Sequence, residues 1–321
     1  MGKTIPKRLI GSYTQGQDGP LLFFIGGIHG NEPAGVIAME RLFEELNQLN
    51  IPFKGKVVGV RGNCRGLAQD KRFIDRDMNR IWTQEHIEYV KNAPEEELNV
   101  ESLEQKELLV YLEAAQEEGR KVYLFDLHTT SGAGGVFSVV EEEDEVIRLA
   151  AALYAPVVLK LHDNLAATTL LYMEDQKITG FAFEGGQHKE EYSAVRHHAA
   201  AWILLESLGC VNATDYPKLQ EYHQVLKKTA EELPDYVEVT YRHDIEGLHD
   251  KFKMRPGYSN FQEVTAGIEL ADDKDGVILC PSDGLLLMPL YQPQGEDGFF
   301  VIKEIANPLL KKANKTDAIH A

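Results

Sequence analysis

The sequence predicts an α/β fold in which a mostly parallel or mixed central sheet carries helices on both faces, followed by a small β-rich C-terminal domain. Three observations carry that prediction. Apolar runs rich in β-branched and aromatic residues recur over residues 1–215, and they are continuous rather than alternating, as strands buried on both faces must be. Helical patterns lie between them, and this alternation builds layered α/β domains. Beyond about residue 215 the texture changes to short strands with Pro/Gly/Asp turns and hardly any helix.

Taken in order, "LLFFIGG" (21–27) reads as the first buried strand. The helix expected over 33–49 places Val36, Met39, Leu42, Phe43 and Leu46 on one stripe, with Pro33 tolerated in its first turn. "KVVGVRG" (56–62) is the next strand. A helix over 101–119 follows, with Ser102 and Gln105 in capping-box register and Gly119 as its stop. "VYLFDLH" (122–128), "PVVLKL" (156–161) and "GFAFEGG" (180–186) continue the strand series, and a helix over 190–209 ends on Gly209. The second domain, 216–321, is read from "VEVTYRHDIEG" (237–247), "GVILCPSDGLLLMPLY" (276–291) and "GFFVIKEI" (298–305). It is expected to cover the cleft of the first.

Bulk properties narrow the function. The 321 residues are 43% apolar and 26% charged, the balance of a soluble globular protein. A net charge of −18, with acidic runs at 94–107 and 141–145, repels phosphate backbones, so nucleic acid is not an expected partner. Those runs read as solvated surface. Cys64, Cys210 and Cys280 are odd in number and widely spaced, which argues against a disulfide framework. "MGKTIPKRLI" lacks a signal-peptide core, Pro6 occupies the place where myristoylation needs Ser or Thr, and no window approaches a membrane span. A cytoplasmic protein without a membrane partner is expected; a homo-oligomer stays open.

In an open α/β sheet the site lies beyond the carboxyl ends of the strands. His29 and Glu32 follow the first strand, His128 ends another, and Glu184 ends a third. His29, Glu32 and His128 make a His₂Glu set, a standard ligand set for one catalytic zinc ion, with a fourth position left for water. Glu184 is the candidate base for that water. Asp126, two before His128, shares its strand face and could orient the imidazole. An HxxE pair alone is weak, because a His at a turn is commonly a satisfied polar residue; equivalent strand ends delivering His128 and Glu184 strengthen it. In "RFIDRDMNR" (72–80), Arg72, Arg76 and Arg80 alternate with Asp75, Asp77 and Asn79. This reads either as a self-paired surface loop or as an anion pocket, in which one Arg grips a carboxylate, Asn79 adds a donor, and a second Arg stabilises an oxyanion.

With "GGIHGNEPAG", "RFIDRDMNR", "DLHTTSG" and "FEGG" in this order, the sequence resembles the succinylglutamate desuccinylase/aspartoacylase family, a branch of the zinc carboxypeptidase superfamily. The resemblance covers residues 20–190 well and extends to "PSDGLLLMPLYQPQGEDGFF". It implies a zinc carboxypeptidase-like fold and hydrolysis of the amide of an N-acylated amino acid. It also implies His29, Glu32 and His128 as zinc ligands, Glu184 as general base, Arg72 as the residue polarising the scissile carbonyl, and Asn79 with Arg80 as the carboxylate clamp. Two departures stand out. Where the aspartoacylase branch has an arginine before the catalytic glutamate, this chain has Glu174, with Lys177 the nearest cation; where that branch has a late tyrosine, it has Phe299. Both point away from acetylaspartate.

The remaining histidines carry less. His188 either lines the pocket or faces solvent, His197 and His198 read as surface or packing residues, and His243 and His249 fit an exposed strand and turn. Three functions compete: a zinc amidohydrolase acting on a small N-acyl amino acid, a metallocarboxypeptidase acting on short peptides through the same clamp, and a catalytically dead scaffold. The presence of every matched residue weighs against the last. A serine hydrolase is disfavoured because there is no GxSxG elbow.

Overall fold

A computed structural model describes residues 4–310. Its first strand, β1 (Leu9–Thr14), is an edge strand that the sequence reading did not anticipate, its residues only half buried. Then come β2 (Leu21–Gly26), α1 (Ala34–Gln48), β3 (Lys56–Arg61), α2 (Cys64–Gln69), α3 (Gln84–Asn92), α4 (Val100–Glu117) and β4 (Val122–Thr130). The chain continues through β5 (Phe137–Val139), α5 (Asp144–Ala151), β6 (Val157–Leu159), α6 (Thr169–Gln176), β7 (Thr179–Gln187), α7 (Glu191–Ser207) and α8 (Leu219–Ala230). Seven strands close it: β8 (Tyr236–Asp244), β9 (Lys253–Met254), β10 (Glu263–Val264), β11 (Glu269–Asp273), β12 (Gly276–Leu279), β13 (Gly284–Leu287) and β14 (Asp297–Glu304).

The expected α/β class is observed. An 11-stranded mixed sheet runs in the order β1-β3-β2-β4-β7-β5-β6-β8-β14-β13-β10, and β3, β2, β4 and β7 form its parallel centre. β2 shows why both faces are covered. Leu22 and Phe24 point into one core with Met39 and Leu42 of α1, Ile203 of α7 and Leu226 of α8. Leu21, Phe23 and Ile25 point the other way, onto Val90 of α3, Leu108 of α4 and Met173 of α6. Successive strand side chains alternate faces, so an unbroken apolar run serves two cores.

Two local readings are corrected. The cap of α4 is Asn99, whose Oδ1 accepts from Ser102 N at 2.9 Å; the helix begins before Ser102, which sits inside its first turn. α8 is a helix in the stretch read as nearly helix-free, with Leu219, Tyr222, Leu226 and Ala230 buried at helical spacing. The C-terminal segment does not fold away from the main sheet: β8 pairs parallel to β6, and β14, β13 and β10 extend the sheet from it. β9, β11 and β12 form a separate antiparallel sheet. No helix among the described residues is long and apolar enough to cross a membrane.

α1 lies unusually close to the sheet. A Cβ on Gly35 would come within 2.7 Å of Leu127 Cβ, and one on Gly26 within 2.7 Å of Val36 N. Gly35→Ala is therefore expected to destabilise the fold by about 1–3 kcal/mol through overpacking, read as a lower denaturant midpoint. An unchanged midpoint would mean that α1 shifts freely over β2 and β4.

Candidate functional site

β2, β4 and β7 run parallel, so their carboxyl ends open on one edge. Gly27, at φ 72°, turns the chain out of β2, and His29 and Glu32 follow before α1. On β4, His128 stands beside Glu184 of β7, and Asp126 beside Ala182. The sheet register alone thus places the second imidazole next to the second glutamate.

His29, Glu32 and His128 are all buried, and one ligand atom from each lies within 4.8 Å of the others. The two imidazoles share an orientation. His29 Nδ1 lies 2.9 Å from Glu32 Oε1 and His128 Nδ1 lies 3.4 Å from Glu32 Oε2, while the opposite ring nitrogens face other carboxylates. His29 Nε2 is 3.0 Å from Asp77 Oδ1. His128 Nε2 is 2.9 Å from Asp126 Oδ2, out of line for a hydrogen bond. An imidazole backed by a carboxylate, with its other nitrogen turned to a shared centre, is the usual arrangement of a metal-binding histidine. Thr129 N donates to Glu32 Oε2 at 2.8 Å and fixes that carboxylate too. The donor set and its backing residues fit a divalent cation.

The charges point the same way. Burial pushes the Glu32 carboxyl up, but His29 and His128 more than reverse this and hold it well below the usual carboxylate range. Asp77 behaves alike, with Arg72 and His29 overcoming its burial. Burial disfavours a charged His128, yet Asp126 and Glu32 raise its pKa well above the ordinary imidazole value. Without a metal, the anionic cluster therefore favours the protonated form of His128. Glu184 differs: burial carries it from 4.5 to about 8, its Oε2 has no hydrogen-bond partner, and His128 only partly offsets the effect. A dication in the same cleft would draw it down again.

The arginine loop is held by one buried carboxylate. Glu101, at the start of α4, accepts from Ile74 N at 2.7 Å, Asp75 N at 2.9 Å and Arg76 N at 3.2 Å, and from Asn63 Nδ2 at 3.1 Å. This fixes the loop that carries Arg72, Asn79 and Arg80. Arg72 grips Asp77 Oδ2 through Nε at 3.0 Å and Nη2 at 2.8 Å, and its Nη1 is 3.6 Å from Glu32. Asn79 Oδ1 accepts from Thr169 N at 2.9 Å. Arg80 donates to Asn79 O at 2.8 Å and pairs with Asp297 at 2.6 Å and Glu296 at 3.3 Å. The loop is thus self-paired through Arg72 and Asp77, while Arg72, Asn79 and Arg80 also line the cleft. Arg76 is exposed and points to neither role.

Seven of the candidate residues lie together. His29, Glu32, Arg72, Asn79, Arg80, His128 and Glu184 line one cleft. Glu174 does not: it is exposed in the last turn of α6. Phe299 is fully buried under the ring of His243, 5.2 Å away and nearly parallel to it. His188 lies beside the cleft, 2.8 Å from Thr129 Oγ1 and 3.3 Å from Gln292 Oε1. His197 and His198 are buried packing residues, the former pushed down to about 3 by burial. His249 forms a second possible cation-binding group with Glu246 and Asp250, largely exposed. Sequence reasoning missed Asp77 as the backing carboxylate, Glu101, Asp297, and the apolar wall of the cleft. Asp77 was visible between the arginines; the others come from distant segments and leave no spacing to read.

The family model described as the succinylglutamate desuccinylase/aspartoacylase catalytic domain matches residues 18–204. A succinylglutamate desuccinylase of Pseudomonas putida is 27% identical over 175 residues, 52% of this chain and 50% of its own. One from Shewanella putrefaciens is 32% identical over 110 residues, 33% of this chain and 30% of its own. The chain thus spans half or less of these curated relatives. Among solved structures, a succinylglutamate desuccinylase/aspartoacylase from Rhodobacter sphaeroides superposes with a TM-score of 0.64 at 17% identity, covering 91% of this chain and 87% of that one. The ectoine utilization protein EutE from Ruegeria pomeroyi gives 0.65 at 15% identity, with the same 91% and 87% coverage. At such identities the superpositions show the fold.

The buried Glu184 gives the metal-free chain a pH signature. Its carboxyl moves from 4.5 to about 8 on folding, so between these values the native state holds a proton that the unfolded state has released. Its contribution to stability is present below the unfolded value and is lost as pH rises through about 8. In chelator-treated protein, Glu184→Gln should match the parent in stability near the acid end of that window and exceed it at the alkaline end. Parallel stability–pH curves would show that Glu184 is not held protonated.

Proposed function

The chain belongs to the succinylglutamate desuccinylase/aspartoacylase family, and we propose that it is a zinc-dependent deacylase that hydrolyses the amide of a small N-acyl amino acid. The observation that carries this reading is the convergence of three parallel strand ends. They bring His29 and Glu32, His128, and Glu184 into one cleft. His29, Glu32 and His128 would hold the zinc, which supplies an acidified water and a Lewis acid for an acyl oxygen.

The chain's own residues do the rest. Asp77 orients the ring of His29 through a hydrogen bond, and the Asp126 carboxylate backs that of His128 by charge. Glu184, whose Oε2 is free of other partners, takes a proton from the attacking water and passes it to the departing nitrogen, so that water and amide become a carboxylate and a free amine. Arg72, whose Nη1 lies 3.6 Å from Glu32, is the donor for the developing oxyanion. Asn79 and Arg80 receive the substrate carboxylate, with Arg80 giving up Asp297 as it binds.

The C-terminal segment supports a small substrate over a peptide. Met288 and Asp297 line the same cleft as the ligand set, and Asn260 Nδ2 reaches Thr130 Oγ1 at 3.2 Å, which ties that segment to the strand carrying His128. A peptidase acting on short peptides through the same clamp remains the second reading, and an open groove in a substrate-bound crystal would favour it.

Glu184→Gln in the zinc-loaded protein should lower turnover of N-acyl amino acids by about 10²–10⁴-fold, the usual worth of a positioned acid–base group. Zinc content should stay the same. Undiminished turnover would remove Glu184 from the base role.

A further inference from the structure

From the wall of the cleft we infer the substrate class, an inference that rests on the deacylase reading: the substrate is an N-acyl amino acid with an apolar side group and one carboxylate. Beyond Glu184 the cleft is lined by Val139, Leu161, Leu165, Leu170, Ala182 and Met288. Val139, Leu161 and Leu170 are at most 4% exposed and belong with Ala182 to one hydrophobic core, so this wall of the cleft is the edge of that core. Its floor is sheet. Val139 of β5 pairs with Ala182 of β7, two residues before Glu184 and on the same strand face.

The recess adjoins the clamp. Thr169, which bonds Asn79 through its backbone and Asp126 through its hydroxyl at 2.6 Å, immediately precedes Leu170. A carboxylate held by Asn79 and Arg80 would therefore put the group on its α-carbon into the recess. That group meets no lysine or arginine there. The cleft's arginines are otherwise engaged, Arg72 with Asp77 and Arg80 with the α-carboxylate that takes the place of Asp297. Asp297 also accepts from Arg242 Nε at 2.6 Å, so it offers no unbalanced anion to a cationic side group. A second carboxylate in the recess would be buried without a partner, which is strongly unfavourable. Glu174, at the place where the aspartoacylase branch has an arginine, is exposed and does not line the cleft. The charged groups nearest this wall, Asp126 beside Ala182 and Glu184 two residues on, are carboxylates that would repel a second acidic group, and Thr168 Oγ1 is buried without a partner.

The test is a substrate panel on zinc-loaded protein, with calorimetric titration of the free amino acids as a second readout. N-acetyl-leucine and N-acetyl-methionine are expected to exceed N-acetyl-aspartate and N-succinyl-glutamate in kcat/KM by about 100-fold or more, given what unpaired buried polar groups cost in discrimination. L-leucine should bind and L-aspartate should not. Leu165→Arg, which places a cation at the partly buried end of the recess, should narrow or invert the preference. Equal or better turnover of the acidic substrates would overturn the inference and leave the deacylase reading intact. Leucine binding without hydrolysis of any N-acyl amino acid would keep the recess assignment and overturn the deacylase reading. Neither binding nor hydrolysis would overturn both.

Discussion

The structure depends on charge compensation in a buried cleft. Glu32, Asp77, Asp126 and Glu184 are all buried at or behind the carboxyl ends of β2, β4 and β7. Isolated carboxylates cannot be held there without cations or protons. Arg72 pairs with Asp77, His29 and His128 face Glu32, and burial raises the Glu184 carboxyl to about 8, so that it favours holding a proton. The orientation of both imidazoles, one nitrogen to a backing carboxylate and the other to Glu32, leaves a divalent cation as the natural completion. Parallel pairing of the three strands is what makes this possible, since it brings three chain ends to one edge in fixed register.

The rest of the molecule holds this edge still and closes it. Glu101 takes three consecutive backbone N–H groups and so sets the loop from Arg72 to Arg80 from a helix more than twenty residues away in sequence. Asn260 and Ser131 stitch the C-terminal segment to the end of β4, and Asp297 reaches across to Arg80. Specificity then follows from what this segment and the stretch around Leu161–Leu170 present to the cleft.

Much of this was legible in the sequence, and the reason is locality. Continuous apolar runs gave the central strands, and the motif spacings gave His29, Glu32, His128 and Glu184, because each lies at the end of a run that could be recognised. The capping of α4 was misread because Ser102 and Gln105 fit a pattern that Asn99 satisfies first. α8 was overlooked although its apolar spacing was present, since it falls where a domain boundary was expected. The pairing of Arg80 with Asp297 and the apolar recess join segments over a hundred residues apart, and no periodicity or spacing encodes such contacts.

The central claim is that His29, Glu32 and His128 together hold one divalent metal beside Glu184. Anomalous diffraction at the zinc edge from crystals of the zinc-loaded protein tests it most directly. The account expects a single strong peak within ligand distance, about 2.0–2.2 Å, of His29 Nδ1, His128 Nδ1 and Glu32. No peak there, or one confined to the exposed Glu246, His249 and Asp250 group, would contradict it.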